Sequence, residues 1–293
     1  MGHVEPVAVL TTIADVASAT GTMSRRCGRG YGRDVKAIHL EHHGHVLTVT
    51  LRHPTSPVNA VDELLHHEFG ELFRTLKRER EARAIVLVGE GKAFSAGGDF
   101  GWFPQLRDTA ALDELRRDAK QMIWDLLDVE VPIVCGLNGS AAGLGASIAL
   151  LCDLIVMSER AVIVDPHVNV GLVAGDGGAA VWPLLLGPLA AKRHLLLGEP
   201  LTAIDALRLG VASEVCAPSD VGERAMAWAQ RIAAQPPLAV KGTKQAVNAQ
   251  LKQSLLTSFD LSIALEIPCF LSSDHKEAID ALQEKRPPIY EGR

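Results

Sequence analysis

Several absences narrow the field. No apolar run reaches the ~18 residues of a membrane span, because Gly, Pro or charge breaks each long run. Positive charge is not in excess. Among 293 residues, 35 Asp and Glu face 29 Lys and Arg, a net charge of −6. That balance argues against nucleic acid as a partner. There is no C-x-x-C and no metal-ligand spacing, so no metal is expected. The five cysteines, Cys27, Cys135, Cys152, Cys216 and Cys269, are scattered and odd in number. They read as free thiols in a reducing compartment. Glu5 and Asp15 flank the early apolar run, and no basic segment precedes it, so a secretory signal is not expected. A cytoplasmic protein is predicted, with no membrane partner. G-x-S-x-G is also missing, which argues against a serine nucleophile on a strand-to-helix elbow.

What is present is concentrated in two glycine-rich stretches, Ala93-Phe94-Ser95-Ala96-Gly97-Gly98-Asp99-Phe100 and Asn138 to Ser147. Each follows an apolar strand-like run. The second leads into an apolar helix that ends at Cys152-Asp153. Small residues let the backbone approach a ligand and leave peptide N–H groups exposed. Two such groups facing one another form an oxyanion hole, which stabilises charge on a carbonyl oxygen.

Elsewhere, residues 1–36 read as a flexible arm in which Gly28, Gly30 and Gly32 alternate with Arg29, Tyr31 and Arg33. His45 to Leu51 alternates as a strand does. Leu64 to Leu76 has helical spacing, with Asp62 as its cap. Ala84–Val88, Ile133–Leu137 and Asp153–Met157 suit buried strands. Helical spacing fills Leu112 to Leu127. The alternation predicts an α/β fold with a mainly parallel sheet, an expected core at 37–235 and a helical region at 236–293 for oligomer contacts. His39, His42, His43 and His45 read as a surface strand, His66 and His67 as ordinary helix positions, and Asp153 as serving a strand start.

The two stretches resemble those of the crotonase superfamily, the enoyl-CoA hydratase/isomerase enzymes. Its A-F-x-A-G-x-D pattern is matched at Ala93–Asp99, and its N-G-x-x-x-G-x-G pattern from Asn138. Ser56–Ala60, Gly171–Gly178 and Glu284–Pro288 also match. The resemblance implies a crotonase-like spiral of ββα units with a C-terminal helical trimerisation region, giving a homotrimer or dimer of trimers. It implies an acyl-CoA thioester substrate and no separate cofactor, coenzyme A being part of that substrate. Carried over by position, the hole consists of the N–H groups of Ala96 and Leu144. Val58, Ser95, Gly97, Asp99, Phe100 and Gly143 fall at substrate-binding positions. Lys285 or Arg293 would meet CoA phosphates of a neighbouring subunit. Trp102, Phe103, Leu106 and Trp124 are candidates for the acyl pocket.

The departure lies in the catalytic pair. Family hydratases place two glutamates at the positions of Ser147 and His167. Neither residue is a carboxylate, so two-carboxylate hydration cannot run unchanged. His167 becomes the candidate general acid/base, since imidazole titrates near neutral pH. The alternative is a structural histidine. Asp176 is the second candidate, either orienting His167 or acting as base. The alternative is an ordinary helix N-cap. Ser147 is a candidate water ligand or a space-filling residue. Enoyl-CoA hydration is the default expectation. Double-bond isomerisation, carbon–carbon bond hydrolysis and a non-catalytic CoA-binding scaffold are the alternatives.

Overall fold

The computed structural model describes residues 36–106 and 108–293. Apart from Lys36, the expected N-terminal arm lies outside the described residues, as does Cys27. Two sheets organise the rest. The larger contains β1 (Ile38–His43), β2 (Val46–Leu51), β3 (Ala84–Gly89), β5 (Ile133–Leu137), β7 (Leu154–Ser158) and β10 (Glu214–Cys216), in that spatial order. Its first two strands form an antiparallel hairpin, and every other pairing in it is parallel. The smaller sheet runs β4 (Ala93–Ser95), β6 (Ser140–Ala142), β8 (Val162–Val164), β9 (Leu201–Thr202).

The helices are α1 (Glu63–Leu76), α2 (Thr109–Asp128), α3 (Leu144–Leu150), α4 (Gly178–Leu186), α5 (Pro188–Leu197), α6 (Ala203–Arg208), α7 (Val221–Ala233), α8 (Pro237–Phe270) and α9 (Ser273–Glu284). A long strand, a short strand and a helix recur as β3-β4-α2 and β5-β6-α3. This is the expected ββα spiral.

The central strands are buried on both faces, as their continuous apolar runs require. All five residues of β5 are buried. One face carries the main core, including Phe69, Phe73, Phe94 and Trp182. The other takes α7 through Ala225, Ala229 and Ala233. Gly136 permits that contact, because a Cβ there would lie 3.3 Å from Ala225 Cβ and 3.4 Å from Val221 Cγ1. Asp62 caps α1 as expected, its carboxylate accepting the Leu65 N–H at 3.0 Å. Asp153 accepts the Ile133 N–H and Lys244 Nζ, each at 2.7 Å. One carboxylate thus fixes the start of β5 and ties α8 to the sheet.

The C-terminal region is helical, as expected: α8 runs 34 residues without a break and carries Pro268 inside its last turn, and α9 follows it. Among the described residues no single helix is long and apolar enough to cross a membrane.

Candidate active site

The small sheet builds the site. β4, β6 and β8 are parallel neighbours, so their C-terminal ends lie side by side. The segments leaving those ends are Gly97–Asp99, Gly143–Leu144 and Asp165–His167. Ligands of open α/β sheets bind outside strand carboxyl ends for this geometric reason. The segments touch because glycine allows it. Gly97 has φ +77°, and a Cβ there would lie 2.9 Å from the Ala142 carbonyl oxygen. Gly143 has φ +49° and places its Cα beside His167; a Cβ would sit 3.5 Å from His167 Cε1 and 3.9 Å from Asp176 Oδ2.

His167 lies at the centre of the site. Its Nδ1 meets Asp165 Oδ1 at 2.6 Å, and the same oxygen accepts the His167 backbone N–H at 3.3 Å. Its Nε2 faces Asp176 Oδ2 at 3.4 Å and Glu266 Oε1 at 3.7 Å. The Ser147 hydroxyl donates to Asp176 Oδ1 at 3.2 Å. Two glycines make room for the carboxylates. A Cβ on Gly175 would lie 2.2 Å from Glu266 Oε2, and one on Gly178 would lie 1.9 Å from Asp165 Oδ2.

Electrostatics follow from this crowding. Burial alone would push the His167 pKa down, but the charges of Asp165 and Asp176 outweigh it and hold it well above 6.5. Burial pushes Glu266 the other way, up to about 8, against the opposing charge of His167. At neutral pH these shifts favour an imidazolium at His167 and a protonated Glu266. Asp165, His167 and Asp176 carry ligand-type atoms within 4.8 Å of one another. However, the two carboxylates engage opposite ring nitrogens, so the three do not converge on one ion position. The arrangement is that of a proton relay.

The cluster opens on a mostly apolar cleft. Trp102, Phe103 and Leu106 line it, as expected. One wall is α8, through Ile263, Glu266, Ile267 and Phe270. Trp124 is not among the lining residues and packs on the main core instead.

Two site expectations are corrected. The Ala96 N–H donates to the Val58 carbonyl at 3.0 Å, so it is occupied and does not supply the hole. Two residues on, Gly98 lines the cleft beside Leu144. Backbone bonds flank Gly98, Val61 N–H to the Gly97 carbonyl and Asp99 N–H to the Val61 carbonyl, and leave its own N–H out of the pairing. Ser147 has no exposed surface, and its hydroxyl donates to Asp176, so it does not stand open as a water ligand and fits the space-filling alternative.

Asp176 is not a helix cap. The α4 N-cap is Gly177, with no side-chain cap bond. Of the expected binding residues, Gly143 borders the catalytic cluster. Ser95 is fully buried and donates to the Asn59 carbonyl at 2.8 Å. The Asp99 carboxylate accepts the Gly101 N–H at 2.7 Å in a local turn. Val58 and Phe100 are half-buried. Four site residues were missed: Gly98, Asp165, His66 and Glu266. Glu266 had a sequence signal, as the only charged residue between Leu261 and Phe270.

The pattern that defines the enoyl-CoA hydratase/isomerase family matches residues 41–293. The chain belongs to that family. It is 33% identical over 260 residues to (E)-benzylidenesuccinyl-CoA hydratase of Thauera aromatica, covering 87% of this chain and 99% of the relative. An enoyl-CoA hydratase/isomerase structure from Mycobacterium paratuberculosis superposes with TM-score 0.80 at 35% identity, covering 84% of this chain and 98% of the other. A β-diketone hydrolase from the cyanobacterium Anabaena, bound to (S)-3-oxocyclohexyl acetic acid, superposes with TM-score 0.76 at 32% identity, covering 80% and 94%. The chain is a crotonase-superfamily, enoyl-CoA hydratase/isomerase-like enzyme.

Proposed function

We propose that this enzyme hydrolyses the carbon–carbon bond between the two carbonyls of a 1,3-dicarbonyl compound. The carrying observation is His167 between Asp165 and Asp176, with Glu266 behind it, where the family's hydratases place glutamates. The likeness to a β-diketone hydrolase supports the same reading.

Water adds to one carbonyl carbon and Asp176 takes its proton. The charge that develops on the carbonyl oxygen falls to the N–H groups of Gly98 and Leu144. The carbon–carbon bond then breaks, and its electron pair leaves as an enolate. His167 gives its Nε2 proton to the enolate carbon. Asp176, 3.4 Å from Nε2, returns the water proton to His167. The bond yields one carboxylic acid group and one ketone, which a cyclic substrate keeps together in a single keto acid. Asp165 holds the ring through Nδ1, as the carboxylate of a catalytic triad does.

The test uses 2,2-dimethylcyclohexane-1,3-dione. Release of 6-methyl-5-oxoheptanoate, followed by pH-stat and slowed by about 10²- to 10⁴-fold in His167→Ala, is the expected result. No acid release would remove this reading.

A second reading is hydration of an enoyl-CoA thioester, with His167 carrying both proton steps. It is favoured by the likeness to (E)-benzylidenesuccinyl-CoA hydratase. Under it, Val58, Gly97, Asp99 and Phe100 line the CoA path, with Lys285 or Arg293 at its phosphates. Loss of conjugated-thioester absorbance with a short 2-enoyl-CoA would select it.

We also propose a homotrimer or dimer of trimers. Leu189, Leu196, Leu197 and Ile204 on α5 and α6, with Leu256, Leu261 and Leu265 on α8, present exposed apolar side chains, which monomers avoid clustering. Sedimentation at a monomer mass would remove that proposal.

A further inference from the structure

A second histidine faces the cleft, and the reaction steps above do not use it. His66 lies on α1, is only 8% exposed and lines the same cleft as Gly98, Leu144, His167 and Asp176. Its neighbour is the Trp102 ring, 5.6 Å away at a 50° tilt. Its Nε2 is buried and has no hydrogen-bond partner among the described residues. Buried polar atoms in folded proteins are almost always paired, so an orphan in a cleft wall needs a reason. An otherwise apolar cleft with a few placed polar groups is how small-molecule sites set orientation.

We infer that His66 Nε2 hydrogen-bonds a ligand oxygen other than the one held by the Gly98 and Leu144 N–H groups, so that the cleft selects ligands carrying two oxygens. On the 1,3-dicarbonyl reading, on which this inference rests, that second oxygen is the carbonyl of the leaving ketone. In its Nε2–H tautomer the ring donates to this oxygen, where the enolate charge gathers when the bond breaks. Burial lowers the His66 pKa, against the opposing pull of Asp118. The ring is therefore neutral at working pH. A neutral donor adds no second fixed positive charge beside the imidazolium of His167. Sequence spacing gave no sign of this role, since His66 and His67 adjoin on one helix and only the packing of α1 turns His66 to the cleft.

The test compares two ligands of nearly equal shape, 2,2-dimethylcyclohexane-1,3-dione and 2,2-dimethylcyclohexanone. Affinities are measured by calorimetry in His167→Ala, where no turnover intervenes. In that background the diketone is expected to bind about tenfold tighter than the monoketone, one well-formed hydrogen bond. Adding His66→Leu should erase the preference, and adding His66→Gln, whose amide nitrogen stands near the Nε2 position, should restore part of it. If the Leu change impairs folding, ring 15N signals of His66 in the His167→Ala protein give the readout, shifting with the diketone and not with the monoketone. Equal affinities for the two ligands, absence of binding by both, or a preference that survives His66→Leu would overturn the inference. A preference that depends on His66 in an enzyme that releases no acid would keep the inference and remove the hydrolase reading.

Discussion

His167 and His66 share one cleft and are pushed in opposite directions. His167 is ringed by Asp165, Asp176 and Glu266, and two of these charges raise its pKa well above 6.5. His66 is equally sheltered, but its nearest ring is Trp102 and burial dominates, so its pKa falls. Burial acts on both in the same sense, disfavouring the charged ring. The neighbouring carboxylates decide the sign. One residue type thus supplies a charged proton donor and a neutral hydrogen-bond donor within one cavity, separated by which loops and helices pack against each ring.

The largest test of the contrast removes the charged member. His167→Ala should lower turnover by about 10²- to 10⁴-fold, the usual worth of a positioned acid/base, with circular dichroism unchanged. A loss under tenfold would mean the proton comes from elsewhere. Asp176→Asn should cost about 10²-fold, because the amide cannot take the water proton. Steady-state rates across pH check it, since a merely structural role for Asp176 would spare kcat at every pH. The contrast sharpens by titration. Ring NMR should place His167 above 6.5 and His66 below it, and Asp165→Asn should bring His167 down. Similar values for both rings would break the comparison.

The smallest effect concerns Glu266. Its carboxyl titrates near 8 in the folded protein, above the ~4.3 of a free glutamate. The folded state therefore holds a proton that the unfolded state has lost. That contribution to stability is full below the unfolded value and disappears as pH rises through about 8. Wild-type Tm should fall between pH 6 and 9 more steeply than that of Glu266→Gln. Parallel curves would mean Glu266 is ionised throughout.

Much of the scaffold was legible in the chain. Apolar runs such as Ile133–Leu137 betray buried strands because a strand covered on both faces cannot carry polar side chains. Asp62 could be read as a cap because its partner lies three residues away. The placement of His167 was legible through its motif. Ala96 was misplaced because which N–H is free depends on the Val58 carbonyl, which arrives from a distant loop. The ambiguity of Asp176, cap or base, could not be settled from spacing. A cap and a base differ only in where the side chain turns, and it turns to Nε2.

The sequence by itself determined the family, the strand–helix order, the two glycine-rich loops and the loss of both catalytic glutamates. Those features are local or follow from patterns along the chain. Only the tertiary structure decided that Glu266, ninety positions beyond Asp176, joins His167, and that Gly98 rather than Ala96 faces the cleft with Leu144. It also decided that His66 stands in the same wall. These relations join residues far apart in sequence, and proximity in space is what sets their charges and their roles.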